Sequence, residues 1–141
     1  MSYIDSIDFS DLAGKTLDDL RVGVNEDDND ALYILASGRW YIMSHWQDCC
    51  EMVTLEDAPD VAPSTRGATI VEAAESVVTG GDFESGGDTS TATFYQLRTS
   101  REDIAITWRG TSNGYYSENV GVYLWDGEGE PAGRSLFGGG L

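Results

Sequence analysis

The chain has 141 residues, with 25 acidic against 8 basic side chains and a net charge of −17. This length suits one domain with a core of its own, and no apolar run reaches the roughly 18 residues that a membrane-spanning helix requires. Such acidity excludes a sequence-independent nucleic-acid binder, which needs a basic footprint. It leaves a solvated surface that keeps the chain soluble, a carboxylate array that imitates DNA phosphates and engages a DNA-binding protein, or cation binding.

The opening residues Met1-Ser2-Tyr3-Ile4-Asp5 have neither a basic region nor an apolar stretch, so no secretory leader is expected and the cytoplasm is the expected compartment. Ile4, Ile7, Phe9 and Leu12 predict a short helix or docking arm over 1–13, and residues 10–14 read as a turn stopped by Gly14. Residues 16–24 carry two patterns. Leu17 and Leu20 have helical spacing, whereas Leu20, Val22 and Val24 alternate as in a strand, and a strand beginning near Leu20 is expected.

Asn25-Glu26-Asp27-Asp28-Asn29-Asp30 predicts a hairpin tip rather than a calcium loop, because the central Gly and terminal Glu of that pattern are missing. Strands are expected over 31–36 and 39–46, joined by a tight Ser37-Gly38 turn. Tyr41, Met43 and His45 share one face of the second strand and Trp40, Ile42, Ser44 and Trp46 the other, which gives it an interior place in a sheet. Met52-Val53-Thr54-Leu55 continues as a strand. Residues 56–66 form a loop with two prolines, 68–74 a strand or short helix, and 79–90, rich in Gly, Asp and Ser, a mobile exposed loop.

Residues 92–125 predict two consecutive hairpins. A four-residue turn at 99–102 pairs Arg98 with Asp103, Leu97 with Ile104 and Tyr95 with Ile106. Asn113-Gly114 predicts a two-residue turn, because both central positions of that turn need positive φ; it would pair Arg109 with Glu118, Trp108 with Asn119 and Ile104 with Tyr123. Alternation then collects Tyr95, Leu97, Ile104, Ile106, Trp108 and Tyr123 on a core face, with Gly121 leaving room for a large neighbour. Phe94, Gln96, Arg98, Thr107, Arg109, Glu118, Val120 and Val122 make a mixed face suited to a ligand, a partner subunit or a covering loop.

Residues 127–141 read as a Gly-rich tail without regular structure, whose Leu136-Phe137 pair would gain by burial, for instance against another subunit. The expected fold is α+β: a single domain dominated by an antiparallel β-sheet, a meander of hairpins over 14–126, with one or two short helices.

Two stretches could carry chemistry. His45-Trp46-Gln47-Asp48-Cys49-Cys50-Glu51 gathers imidazole, carboxylates and thiols, all possible metal ligands. With no second ligand pair in the chain, a strand end in which Asp48 caps the backbone and a cysteine packs as a small hydrophobe reads better than a zinc site. A Cys–His nucleophile would need a thiol beside His45, whereas adjacent strand residues point to opposite faces. Arg109, Ser112, Asn113, Tyr115 and Tyr116 offer donors and stacking surfaces that suit a planar or phosphorylated ligand. The alternative is that they only make the turn, a cross-strand ion pair and packing.

Gly14-Lys15-Thr16-Leu17, the Asp-Cys-Cys-Glu run at 48–51 followed by Val53 and Glu56-Asp57, and Phe94-Tyr95 through Ser112-Asn113-Gly114-Tyr115-Tyr116-Ser117 resemble a family of small phage-encoded proteins of unknown function. The resemblance spans most of 14–122 and leaves out the arm and the tail. It implies a viral accessory gene of an infected host cell and, by analogy, a role in countering host defence.

The expected function is that of a non-enzymatic binding protein that neutralises a host defence signal or component. Its partner is a nucleotide-like small molecule or a host defence protein. The expected ligand-binding residues are His45, Asp48, Arg109, Ser112, Asn113, Tyr115 and Tyr116, with no cofactor, no metal, no direct nucleic acid and no membrane, in a homo-oligomer. The alternatives are an acidic DNA mimic that inhibits a DNA-binding protein, a structural or assembly protein of the virion, and a Cys- or metal-dependent hydrolase.

Overall fold

The structure, a computed structural model, describes residues 6–25, 29–45, 51–80, 89–112, 120–125 and 129–137. They form the strands β1 (Ser6–Ile7), β2 (Thr16–Val24), β3 (Asp30–Ala36), β4 (Arg39–Ser44), β5 (Glu51–Asp57), β6 (Ala68–Gly80), β7 (Thr89–Thr99), β8 (Asp103–Ser112), β9 (Gly121–Leu124) and β10 (Arg134–Ser135). The strands lie in the order β1-β9-β4-β3-β2-β6-β7-β8-β5, with β10 added to β2. All strand pairs are antiparallel.

Among the described residues the only helical pieces are the 3-10 turns Phe9–Leu12 and Pro63–Thr65. The fold is therefore sheet-dominated rather than α+β. Residues 68–74, which left strand and helix open, belong to β6; the β-branched Thr69, Ile70 and Val71 lose little rotamer freedom on a pleated surface. No helix among the described residues is long and apolar enough to cross a membrane.

β2 explains its own double pattern. Leu17 pairs with Ala36 and Asp19 with Leu35, so Asp18 is an extra residue in the ladder. The bulge shifts the alternation by one. Leu17 and Leu20, three apart as on a helix, are both fully buried in the same core. The strand therefore begins at Thr16, not near Leu20.

The β3–β4 hairpin turns at Ser37 (φ 50°) and Gly38 (φ 82°), the positive-φ pair of a two-residue hairpin turn. β4 is interior, between β3 and β9, as its two apolar faces required. β6 and β7 remain paired out to Gly80 and Ser90, so the strands reach further into the Gly-rich stretch than its composition suggested.

The β7–β8 hairpin has the expected register, with Arg98 opposite Asp103, Leu97 opposite Ile104 and Tyr95 opposite Ile106. The second expected hairpin is overturned. β8 is flanked by β7 and β5, and Trp108 faces Thr93 and Leu55 rather than Asn119. β9 lies between β4 and β1, with Tyr123 opposite Ile42 and Ser6 rather than Ile104. The Asn113-Gly114 turn itself falls outside the described residues. The physical reason is that β4, apolar on both faces, gains a second neighbour from β9, while β5 takes the edge of β8.

The change also reverses the faces of β9. Val122 joins the main core and Tyr123 the opposite side. The Tyr123 ring folds back over Gly121 and leaves no space there for a Cβ, so the room expected at this glycine is used by its own strand neighbour.

The sheet folds over on itself, and both halves bury one face in a common core. Leu20, Leu32, Ile34, Met43 and Val122 come from one half, and Val53, Tyr95, Leu97, Ile106 and Trp108 from the other. Phe9 and Leu12 are buried in the same core, and the Phe9 ring meets Tyr95 edge-on at 4.8 Å. A second cluster of Ala31, Tyr33 and Ile42, with Trp40, Tyr123 and Trp125 against it, lies on the outer face of the first half. The segment 129–133 packs there: a Cβ on Gly23 would meet the Ala132 carbonyl at 3.0 Å.

The residues expected to form an unstructured tail thus do two structural jobs. β10 pairs with β2, and Leu136 and Phe137 are buried in the core of their own chain. We expect Leu136→Ala to lower the unfolding free energy by about 2–5 kcal/mol, the cost of truncating a buried leucine. Urea denaturation reads it; a loss below about 0.5 kcal/mol would place Leu136 outside the core.

Candidate functional site

His45 follows β4 at the end of its inner face, beyond Tyr41 and Met43, and is 9% exposed. Arg109 lies on β8 between Ala92 and Thr54, half-buried, on the face opposite Trp108. Ser112 ends β8 between Glu51 and Thr89. Asp48, Asn113, Tyr115 and Tyr116, with Cys49, Cys50 and the Glu118 expected opposite Arg109, fall outside the described residues.

Strand pairing joins described residues that flank the two chemistry-bearing stretches. Ser44 pairs with Gly121, and Glu51 pairs with Ser112. Residues 45–50 and 113–120 are therefore bounded by the same two pairs, where the chain passes between the halves of the sheet. His45 and Arg109 do not share a face: one belongs to the space between the halves, the other to the outside of the second half.

Five basic side chains gather at one end of the strands, with Glu102 and Asp103 among them. At one end lie the turns around residues 13–16, 36–39, 66–69 and 98–102, tied to each other by Ser37 N–H to Thr16 O (2.8 Å), Gly14 N–H to Ile70 O (2.7 Å) and Ser100 N–H to Thr69 O (2.9 Å). They carry Lys15, Arg39, Arg66, Arg98 and Arg101, five of the chain's 8 basic residues. The segments 26–28, 46–50, 81–88 and 113–119 lie outside the described residues. In sequence they contain Glu26, Asp27, Asp28, Asp48, Asp82, Glu84, Asp88 and Glu118 and no lysine or arginine.

A charged network that sequence reasoning missed sits at the middle of β2. The Asp19 carboxylate, 5% exposed, accepts hydrogen bonds from Leu20 N–H (2.8 Å), Arg21 Nε (2.9 Å) and Ser135 Oγ (2.7 Å). Arg21 also donates to Glu130 (2.9 Å) and to the Pro131 carbonyl (2.9 Å), and its guanidinium lies 4.7 Å from the centre of the Trp40 ring. Burial opposes the charge on Arg21, but the bonds to Asp19 and Glu130 outweigh it and hold the guanidinium above its ordinary pKa. The one sequence signal was Asp-Asp followed by Leu-Arg, which the bulge hid by making the carboxylate look like a solvated strand position.

Two polar groups border the core on the second half. Tyr95 Oη reaches Glu75 (3.4 Å) and the Val120 carbonyl (3.5 Å). The Trp108 indole N–H is buried without a hydrogen-bond partner among the described residues. Among the described residues no three His, Cys, Asp or Glu side chains converge as a metal site would require.

Burial first, and then the Glu75 carboxylate, push the Tyr95 phenol well above its ordinary range. The folded state thus holds this proton more tightly than the unfolded chain, whose phenol titrates near pH 10. The associated stability is intact below that pH and is lost as pH rises through it. Tyr95→Phe should therefore lose less stability than wild type between about pH 8 and pH 11. Parallel losses in urea midpoints would show that Tyr95 ionises freely in the folded protein.

No curated protein and no solved structure matches the chain. A family profile does match, over residues 10–122, which takes in β2 through β8, both chemistry-bearing stretches and the start of β9. On that match the chain belongs to the DUF7448 family, a domain of unknown function.

Proposed function

We propose that this is a non-enzymatic binding protein whose working residues are the carboxylates of its acidic connecting segments, and that its partner is a protein with a basic, nucleic-acid-binding surface. The observation that carries this reading is that the connecting segments 26–28, 46–50, 81–88 and 113–119 hold eight carboxylates and no lysine or arginine, while strand pairing joins the residues that flank them: Val24 with Asp30, Ser44 with Gly121, Gly80 with Ser90 and Glu51 with Ser112. Carboxylates gathered this way attract a surface built for phosphates, and they steer encounter even where each contact is weak. Elsewhere several acidic residues are held by arginines: Glu72 and Asp103 by Arg98, Asp60 by Arg134, and Asp19 and Glu130 by Arg21.

A second reading is favoured by the pairing of Glu51 with Ser112, which adjoins Arg109 and the stretch of Asn113, Tyr115 and Tyr116. There the ligand is a small, planar, nucleotide-like molecule, and Arg109 must offset the repulsion of the neighbouring carboxylates. The biological form of either reading is an accessory protein of a phage that acts in the cytoplasm of the infected cell against a host defence protein or signal.

Capture from host lysate on the full chain, followed by native mass spectrometry, separates the two. The first reading expects a protein partner that about 0.5 M salt releases and that duplex DNA displaces. Neutralising Glu26, Asp27 and Asp28 together should weaken it by at least about tenfold, or 1.4 kcal/mol. A retained small molecule that is lost with Arg109→Ala would transfer the assignment to the second reading. A partner indifferent to salt, to DNA and to both variants would remove the two together.

A further inference from the structure

We propose that the edge of β2 from Leu20 to Val22 is a strand-docking site, that residues 129–137 are its resident occupant, and that a second copy of this chain can supply the same segment in exchange. β2 changes partner halfway along. β6 pairs only with Thr16 and Leu17, and beyond the Asp18 bulge the same edge is taken by β10, with Arg134 opposite Val22 and Ser135 opposite Arg21.

The site reads its occupant through backbone and side chains together, as strand addition to a sheet edge does. Leu136 N–H donates to the Leu20 carbonyl (2.8 Å), and Val61 N–H donates to the Leu136 carbonyl (2.8 Å). Ser135 Oγ donates to the buried Asp19 carboxylate, Leu136 fills a fully buried position, and Phe137 lies under the Arg66 guanidinium at 4.7 Å. The recognised pattern is thus an extended segment with a small hydroxyl followed by two apolar residues.

Two further observations mark the segment as a ligand of the domain. The family match ends at residue 122, so Leu20, Val61 and Arg66 lie inside the family domain while their occupant lies outside it. Glu130 and Arg134 cancel within 129–137, so the segment brings no net charge to a body whose formal charge is −17. A second copy's segment makes the same bonds, and exchanging an identical element is a low-cost route to a dimer. This inference is independent of the acidic connecting segments.

Two measurements on the full chain test it. Amide hydrogen exchange on wild type should show Leu136 and Val61 opening together, at least about tenfold faster than Ile34 and Ile42 in the central strands. Protection equal to those strands would overturn exchange, because the segment would then leave only with global unfolding. The second uses a fluorescent peptide of residues 129–137 with Ser135→Ala protein, whose own segment has lost the bond to Asp19. The peptide should bind saturably and at least about tenfold more tightly than to wild type. A peptide with Leu136→Ala and Phe137→Ala should not bind. No binding of the unaltered peptide to the folded Ser135→Ala chain would also overturn the proposal.

Discussion

One inserted residue in β2 sets the arrangement of the whole molecule. With Asp18 bulged out of the ladder, Leu17 and Leu20 both reach the core, and Asp19 and Arg21 share the other face. The same bulge marks where β6 turns away to begin the second half of the sheet and where β10 takes over the vacated edge. An uninterrupted β2 would keep one neighbour along its length. The sheet could then not fold over, and Asp19 would have no enclosed place beside Arg21 and Ser135. A buried carboxylate is costly unless it is paired and hydrogen-bonded. Asp19 meets that condition only because Arg21 of its own strand, Ser135 of β10 and, at 3.9 Å, Arg66 converge on it.

This dependence explains which features could be read from the residues and which could not. The β7–β8 hairpin and the Ser37-Gly38 turn were legible because their signals are local: alternation of apolar side chains and a positive-φ turn. The interior place of β4 was legible because both of its faces are apolar. The partner of β9 was not. Asn113-Gly114 suggested that β8 pairs with the next strand along the chain, but strand choice was decided by burial at a distance, where Val122 enters the core beside Met43. The helical spacing of Leu17 and Leu20 misled for a related reason, since a bulge imitates a three-residue step. Leu136 and Phe137 were recognised as needing burial, but a run flanked by glycines carries no mark of which edge will receive it.

The proposed site shows the same division. Residue type picked out His45 through Glu51 and Arg109 through Tyr116 as chemically dense, and the Ser44–Gly121 and Glu51–Ser112 pairs bring the ends of these stretches to one place. Sequence could not say that His45 and Arg109 occupy different faces, because that depends on how the sheet folds over.

Cross-strand proton–proton contacts in solution probe this topology most directly, since the core and the docking edge of β2 both depend on which strands are neighbours. The strand order predicts contacts between Met43 and Val122 and between Val22 and Arg134, with none between Ile104 and Tyr123. Contacts joining Ile104 to Tyr123 and Trp108 to Asn119, with the first two pairs silent, would contradict it: β8 and β9 would then form a simple hairpin and β2 would keep a free edge.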